Sequence, residues 1–516
     1  MDIQIISLPF QIGILISFLL FLLLSWKRPA FAALLFPMVL PLYLIKIYFD
    51  FPIAIPTNLL EVLIIIFLLV NYKLVSRGIK YIWMTTKMGK YFLFAIFFLL
   101  FSTILSTIFA LNLRTALGAA KSWFVLPVFL FFALIPLLRS EKFREKFLFP
   151  LALSGVVVSL MSLPFIFANL LTYDERLSGL YLSPNHLAMA LVPGILALLI
   201  QKSKIKNKND KLKFKIAYYF LLILELITLY LTYSYSAWFG LFAAYLFLFY
   251  VSSFKFPAYR SGRQVSKSSL PYYLITFLLL VLLGISQLSN PKLQHIIKGD
   301  YYSSLHSRAM IWQSAWKICK DHWWSGVGVG NFQEAYLNYQ KYFPEPYIEW
   351  AVPMPHNIFL AFQTQLGIIG LIAFILIVIL SFTRIFVIPV QGGLPARLAE
   401  ADGRTPPKPL ATEREAQAGR QGIQEKNSLK IGIWKFIGNW DLRFGNLKNK
   451  LSKLDSLSLW AFAYLVYIIL HGLIDTPYMK NDLAILFWLA LAVIWGVKLT
   501  KERSKKYVTM DKTGEK

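Results

Sequence analysis

The chain has 516 residues, 57% hydrophobic and only 15% charged, where a soluble chain carries about 25% charged residues. With a mean hydropathy of +0.58 it is neither disordered, nor collagen-like, nor a coiled coil. The apolar residues come in runs of about 18 or more, each enough to cross a bilayer, so the sequence predicts an all-α polytopic membrane protein. The net charge of +27, from 53 Lys and Arg against 26 Asp and Glu, is to be tested against the positive-inside rule before nucleic acid is invoked. The single cysteine, Cys319, excludes an internal disulfide.

Candidate spans in chain order are 8–25, 29–48, 54–72, 91–111, 118–138, 147–170, 185–200, 214–231, 236–251, 271–289, 356–383, 457–473 and 482–499. That is about 12–13 transmembrane helices, the first two joined by a very short link. No basic stretch precedes the first, which reads as a span and not as a cleaved leader. Alternate loops are basic: Lys27 and Arg28, then Lys73 to Lys90, Arg139 to Lys146, Lys202 to Lys215 and Lys255 to Lys267. The loops between them, such as 49–53 and 232–235, carry no Lys or Arg. The basic loops are therefore expected in the cytoplasm, with the N-terminus outside and the C-terminus inside. This accounts for most of the charge, and no nucleic-acid partner is expected.

Divided by function, residues 1–289 are N-terminal spans and 290–355 a large outer loop rich in Trp, Tyr and Phe. Residues 356–383 form one span, and 384–456 a cytoplasmic loop. The stretch of that loop from Gln391 to Asn427 is rich in Gly, Ala, Pro, Arg and Glu and reads as a disordered, dispensable insertion. Spans follow at 457–499 and a basic tail at 500–516.

Polar groups near a bilayer are costly and therefore informative. Here they gather at the outer ends of spans. In Arg176-Leu177-Ser178-Gly179 and Ser183-Pro184-Asn185-His186, one reading is a turn and a helix start, with Ser183 as cap and Pro184 at N1. The other is an anion contact by Arg176, with Asn185 inside the site. Ser307-Arg308 opens a helix on which Trp312, Trp316, Cys319 and Trp323 recur at spacings of four, three and four. That is one apolar face suited to the membrane surface, with Arg308 either snorkelling to lipid phosphate or holding a ligand phosphate. Gly326-Val327-Gly328-Val329-Gly330 reads as a tight packing turn or as a backbone nest for phosphate. Pro355-His356-Asn357 opens the eleventh span, where an imidazole at the lipid–water boundary serves either as a base or as a helix cap. His471 and Asp475 end the twelfth span, with Lys480 and Asp482 beyond; Arg114 and Lys121 flank the fifth. Glu61 follows Asn58 at capping-box spacing, and Glu225 lies within the eighth span.

His356-Asn357-x-x-Leu360, six residues and Gly367 resembles the signature of the O-antigen ligase and polymerase superfamily, which also holds protein O-oligosaccharyltransferases. Ser307-Arg308-x-x-x-Trp312 and Ser325-Gly326-Val327-Gly328 are similar to that family's loop motif. Arg176…Gly179…Pro184-Asn185 is similar to an earlier motif, and His471…Asp475 to a C-terminal feature. The resemblance covers nearly the whole chain outside 384–456. It implies a GT-C-like helical membrane fold in the bacterial cytoplasmic (inner) membrane, with the active site on its outer face. The implied reaction moves a glycan from a polyprenyl-pyrophosphate carrier to a hydroxyl on lipid, glycan or protein, without nucleotide, metal or other cofactor. His356 would be the catalytic group and Arg308 a pyrophosphate ligand. The chain departs from the family at Thr232-Tyr233-Ser234-Tyr235-Ser236-Ala237, where Tyr235 occupies the position of an arginine. A phenol brings no positive charge, so either Arg176 or Lys121 supplies it or the donor site is altered.

The expected mechanism is a single inverting displacement. Arg308 and Arg176 stabilise the leaving pyrophosphate, and His356 takes the proton of the acceptor hydroxyl. The Trp helix holds the lipid carrier, and loop aromatics stack on sugars. Glu345 and Glu349 make no evident glycosidase pair. The rival of another class is a flippase of lipid-linked glycans, for which Glu225 is the one suitable group.

Overall fold

The computed structural model describes residues 8–47, 57–201, 211–253, 277–278, 281–288, 290–301, 303–342, 349–386 and 454–497. Their helices are α1 (Leu8–Lys27), α2 (Pro29–Val39), α3 (Leu59–Val70), α4 (Tyr72–Thr85), α5 (Lys87–Ile108) and α6 (Leu113–Ala120). Next come α7 (Leu126–Leu138), α8 (Glu141–Ser162), α9 (Pro164–Phe167), α10 (Pro184–Gln201), α11 (Lys211–Leu231) and α12 (Tyr235–Ser253). The last six are α13 (Pro291–Lys298), α14 (Ser304–Asp321), α15 (Phe332–Tyr339), α16 (Ile358–Thr383), α17 (Ser456–Gly472) and α18 (Asn481–Trp495). One antiparallel pair, β1 (Lys46–Ile47) and β2 (Thr57–Asn58), is the sheet among the described residues. The protein is an all-α polytopic membrane protein.

Among the described residues four helical stretches are long and apolar enough to cross a membrane: Lys87–Ile108, Leu113–Leu138, Glu141–Phe167 and Ile358–Thr383. The pair α3–α4, bent by 78°, makes a fifth if taken as one span. Seven shorter apolar helices of 10–17 residues lie within other expected spans. The described residues thus supply full-length spans for only part of the expected twelve or thirteen. Most of the expected span 271–289, nearly all of the 384–456 loop and the 500–516 tail lie outside them.

Helix starts follow local chemistry. Asn58 caps α3, accepting from the Glu61 amide at 3.0 Å, and its side-chain amide donates to the Glu61 carboxylate at 2.6 Å, so the capping-box spacing yields a cap closed through side chains. Ser183 accepts from the His186 amide at 3.2 Å with Pro184 next to it, so the cap reading of that stretch holds. The basic stretch 73–90, expected as a loop, instead holds α4. Gly78, Tyr81, Ile82 and Thr85 face inward while Lys73, Arg77 and Lys80 stay exposed, an amphipathic pattern. At Gly78 a Cβ would stand 1.9 Å from the Phe132 carbonyl oxygen, so glycine lets α4 lie directly on α7.

The core runs along α18, buried at every position from Asp482 to Trp495, as a helix apolar on all sides must be. It packs on α7 and α17; α5 lies against α16, and α8 against α10. The outer side of α5 exposes Phe94, Phe97, Phe98, Phe101 and Ile104, a lipid-facing surface. Glu225 is fully buried in α11, where Gly155 and Gly194 make room for its carboxyl group.

Candidate active site

Five segments from one end of the bundle meet around an open cavity of about 920 Å³. They are the loop before α10, the turn between α11 and α12, α13 with the start of α14, the approach to α16, and the turn between α17 and α18. Their charged wall includes Asp174, Arg176, Lys292, Arg308, Glu349, His356, Asp475 and Lys480. Polar groups from segments distant in the sequence line one pocket.

His356 stands just ahead of α16 with a positive φ of 48°, a backbone state that a side chain adopts only when its surroundings hold it. Two neighbours hold it. Trp312 of α14 donates its indole N–H to the His356 carbonyl at 3.3 Å. Asn357 caps α16, accepting from the Phe359 and Leu360 amides at 3.0 and 3.1 Å, and donates to the Leu473 carbonyl at 2.9 Å. The imidazole therefore faces the cavity from a fixed platform. Its Nδ1 lies 2.9 Å from Asp475 Oδ1.

Asp475 is the hub of the site. Its side chain is 3% exposed. Oδ1 also accepts from the Thr476 amide at 2.8 Å, and Oδ2 accepts from Asn185 Nδ2 at 3.0 Å. Arg308 Nη2 and His471 Nε2 lie 3.8 and 4.0 Å away. Burial alone would raise this carboxyl group, but the His356 imidazole bonded to it, with Arg308 and His471 beside it, holds it well below the usual carboxylate range. An ionised Asp475 accepts from Nδ1–H, which leaves Nε2 as the basic nitrogen of His356.

The cations are positioned with equal care. Arg176 is buried; its Nη2 donates to Asn185 Oδ1 at 2.7 Å and its Nε to the Thr232 carbonyl at 2.7 Å. Asn185 thus links Arg176 to Asp475. Burial lowers the Arg176 guanidinium, and Asp174, 3.5 Å away, counters the shift. Arg308 donates Nε to the Ile474 carbonyl at 2.9 Å and Nη1 to the Ser304 carbonyl at 3.1 Å. Lys292 enters from α13, 3.8 Å from Asp174. Burial first, then the positive charges of Arg176 and Arg308, bring its amine down to about 7.

Of the sequence-predicted site residues, His356, Arg308, Arg176, Asn185 and Asp475 come together at the cavity. His471 sits behind Asp475, fully buried and bonded to the Tyr467 hydroxyl at 2.6 Å. Asn357 serves the helix start. Lys121 does not line the cavity; it pairs with Glu61 at 2.6 Å and donates to Thr57 Oγ1 at 2.9 Å. Tyr235 also lies off the wall, its hydroxyl donating to Gln287 Oε1 at 3.4 Å, while its neighbour Tyr233 lines the cavity. Neither therefore delivers the charge of the family arginine. Lys292 was missed because nothing at sequence level sets it apart from other loop lysines. Glu349, bonded by the Ser307 hydroxyl at 2.7 Å, gives no local signal of that contact. The buried pair of His186 and Asp482, 3.0 Å apart, joins residues 296 positions apart.

Two motif readings resolve. The Gly326–Gly330 run is a packing turn. Its amides serve α16, Val327 N–H donating to the Thr364 carbonyl at 2.8 Å and Gly330 N–H to Gln365 Oε1 at 2.6 Å. The tryptophan stripe is not a single membrane face. Trp316 and Trp323 are exposed, but Cys319 is buried and Trp312 is turned to His356, because α14 packs against α15 and α16, with Ile311, Ala315 and Ile318 in one cluster with Phe332, Ala335 and Tyr336. Among the described residues no group of three or more His, Cys, Asp or Glu gathers as a metal site would.

The sequence profile described as O-antigen ligase matches residues 220–375. Over that segment the chain is similar to O-antigen ligase domains. The segment spans α11 to the first part of α16 and carries Tyr235, Lys292, Arg308, His356 and Asn357. Arg176, Asn185, His471 and Asp475 fall outside it and join it in space. The match supports the O-antigen ligase superfamily and its ligase- or polymerase-type membrane function. No curated protein matches the chain.

Proposed function

We propose that the protein is a membrane glycosyltransferase of the O-antigen ligase kind. It moves a glycan from a polyprenyl-pyrophosphate carrier to an acceptor hydroxyl on the outer face of the bacterial cytoplasmic membrane. Chain extension of a polysaccharide, or glycosylation of a protein hydroxyl, would use the same chemistry with another acceptor. The observation that carries the reading is the His356–Asp475 pair, 2.9 Å apart, in one cavity with Arg308 and Arg176.

The acceptor O–H breaks as its oxygen attacks the anomeric carbon, and the proton goes to His356 Nε2. The anomeric C–O bond breaks on the opposite side, with its electron pair staying on the pyrophosphate. That group gains charge, and the guanidinium groups of Arg308 and Arg176 stabilise it. Asp475 orients the imidazole and balances the imidazolium. A single displacement inverts the anomeric centre.

The test is transfer in liposomes, with a polyprenyl-pyrophosphate glycan and candidate acceptors. Wild type should release polyprenyl pyrophosphate and form product. His356→Ala should lose about 100-fold or more of that rate, and Arg308→Ala should also fail, both with an unchanged elution profile. Undiminished transfer by His356→Ala would remove the proposed base. Lipid-linked glycan crossing the bilayer without pyrophosphate release would favour the flippase.

A further inference from the structure

We propose that Lys292 is a third, titrating cation for the donor's diphosphate, standing in for the charge that Tyr235 does not bring. The inference rests on the transferase reading and assigns a specific residue to its leaving-group side.

The placement is geometric. Asn290 accepts from the Lys292 amide at 2.9 Å and Pro291 opens the helix, which aims α13 so that Lys292 reaches the cavity wall. Asp174 holds Arg176 at 3.5 Å and Lys292 at 3.8 Å, so one carboxylate sets two cations side by side. The alternatives are taken up elsewhere: Lys121 by Glu61, and Tyr235 by Gln287. Lys292 remains a quarter exposed on its cavity side, so an anion can reach it.

The groups that face its amine are Asp174 and Arg176 ahead of α10, Arg308 on α14 and Glu349 ahead of α16, with His295 one turn along α13. Two guanidinium neighbours make a third permanent charge expensive in the empty site. A lysine meets this by giving up its proton, which an arginine cannot do. A bound diphosphate reverses the balance, and Lys292 takes a proton from solvent. Its affinity for the charge is then greatest after the anomeric C–O bond breaks and the leaving group gains its extra negative charge.

Binding to the purified full-length protein should reveal that proton. The probe is a short-chain prenyl-diphosphate sugar, whose two diester phosphates have no titration near neutrality. Calorimetry at pH 8 in buffers of different ionisation enthalpy should show uptake approaching one proton in wild type. Lys292→Arg should bind within about threefold and take up none, and Lys292→Met should bind roughly tenfold more weakly, the loss of one charge-assisted contact. Equal uptake by wild type and Lys292→Arg, or unchanged affinity in Lys292→Met, overturns the role of Lys292 while leaving the transferase reading in place. No binding of the probe to wild type overturns both.

Discussion

Asp475 shows how much a single side chain can organise. The sequence makes it a minor companion of His471, because its bonds to Asn185 and His356 span 290 and 119 positions and no local pattern encodes such distances. His356 and Arg308 were legible because each stands in a short motif at a helix start. Asp475→Asn keeps the shape and removes the charge. Its turnover should fall about 100-fold or more, and its donor KM should rise, since Arg308 and Asn185 lose their shared partner. Asp475→Glu should recover part of the turnover, and a turnover equal to wild type in Asp475→Asn would deny the carboxylate its orienting role. The sign of the pH effect follows from the lowered carboxyl group. Its contribution to stability is complete above the ordinary carboxylate range and is lost as pH falls toward the lower folded value. Thermal melts in micelles should show wild type losing Tm below about pH 4, and Asp475→Asn losing less.

Helices as such were legible from apolar runs and caps, and the structure departs from them where contacts with other elements decide. α4 was hidden because its lysines read as a loop, and its inner face finds its partners only in the fold, in α7 and α5. α16 is helical on both sides of Gly367, where φ is 69°. The break is filled by the chain around Gly326, where Val327 N–H donates to the Thr364 carbonyl and Ile368 N–H to the Trp323 carbonyl, each at 2.8 Å, and by α5, whose Ser106 hydroxyl donates to the Gln365 carbonyl. A Cβ on Gly367 would stand 2.1 Å from the Trp324 carbonyl oxygen. Gly367→Ala should therefore sharply reduce folded yield on size exclusion, since both the backbone state and the space exclude a side chain. At the far end of the bundle Asp455 caps α17 and pairs with buried Arg144 at 2.6 Å. Asp455→Ala should cost roughly 2–3 kcal/mol, below a fully buried pair because its carboxylate is half-exposed. A thermal shift in micelles measures it.

For the whole molecule, charge alternation predicts an orientation and the fold supplies the positions to test it. In a Cys319→Ala background, Tyr173→Cys, fully exposed beside the cavity mouth, should react with a membrane-impermeant maleimide in intact cells. Lys80→Cys on the exposed side of α4 should react only after permeabilisation; the reverse would invert the topology. The union of five segments into one cavity was not legible, since the sequence orders them along the chain and only packing brings them together. The break in α16 also bears on engineering. Because the glycine loop completes the interrupted helix, α14, that loop and the start of α16 are one transplantable unit. A chimera that exchanges the loop alone would bring in a new Trp312 and a new Trp324 without the His356 carbonyl and the Gly367 they fit. One that exchanges 303–370 together would keep both, and donor or acceptor preference should travel with it.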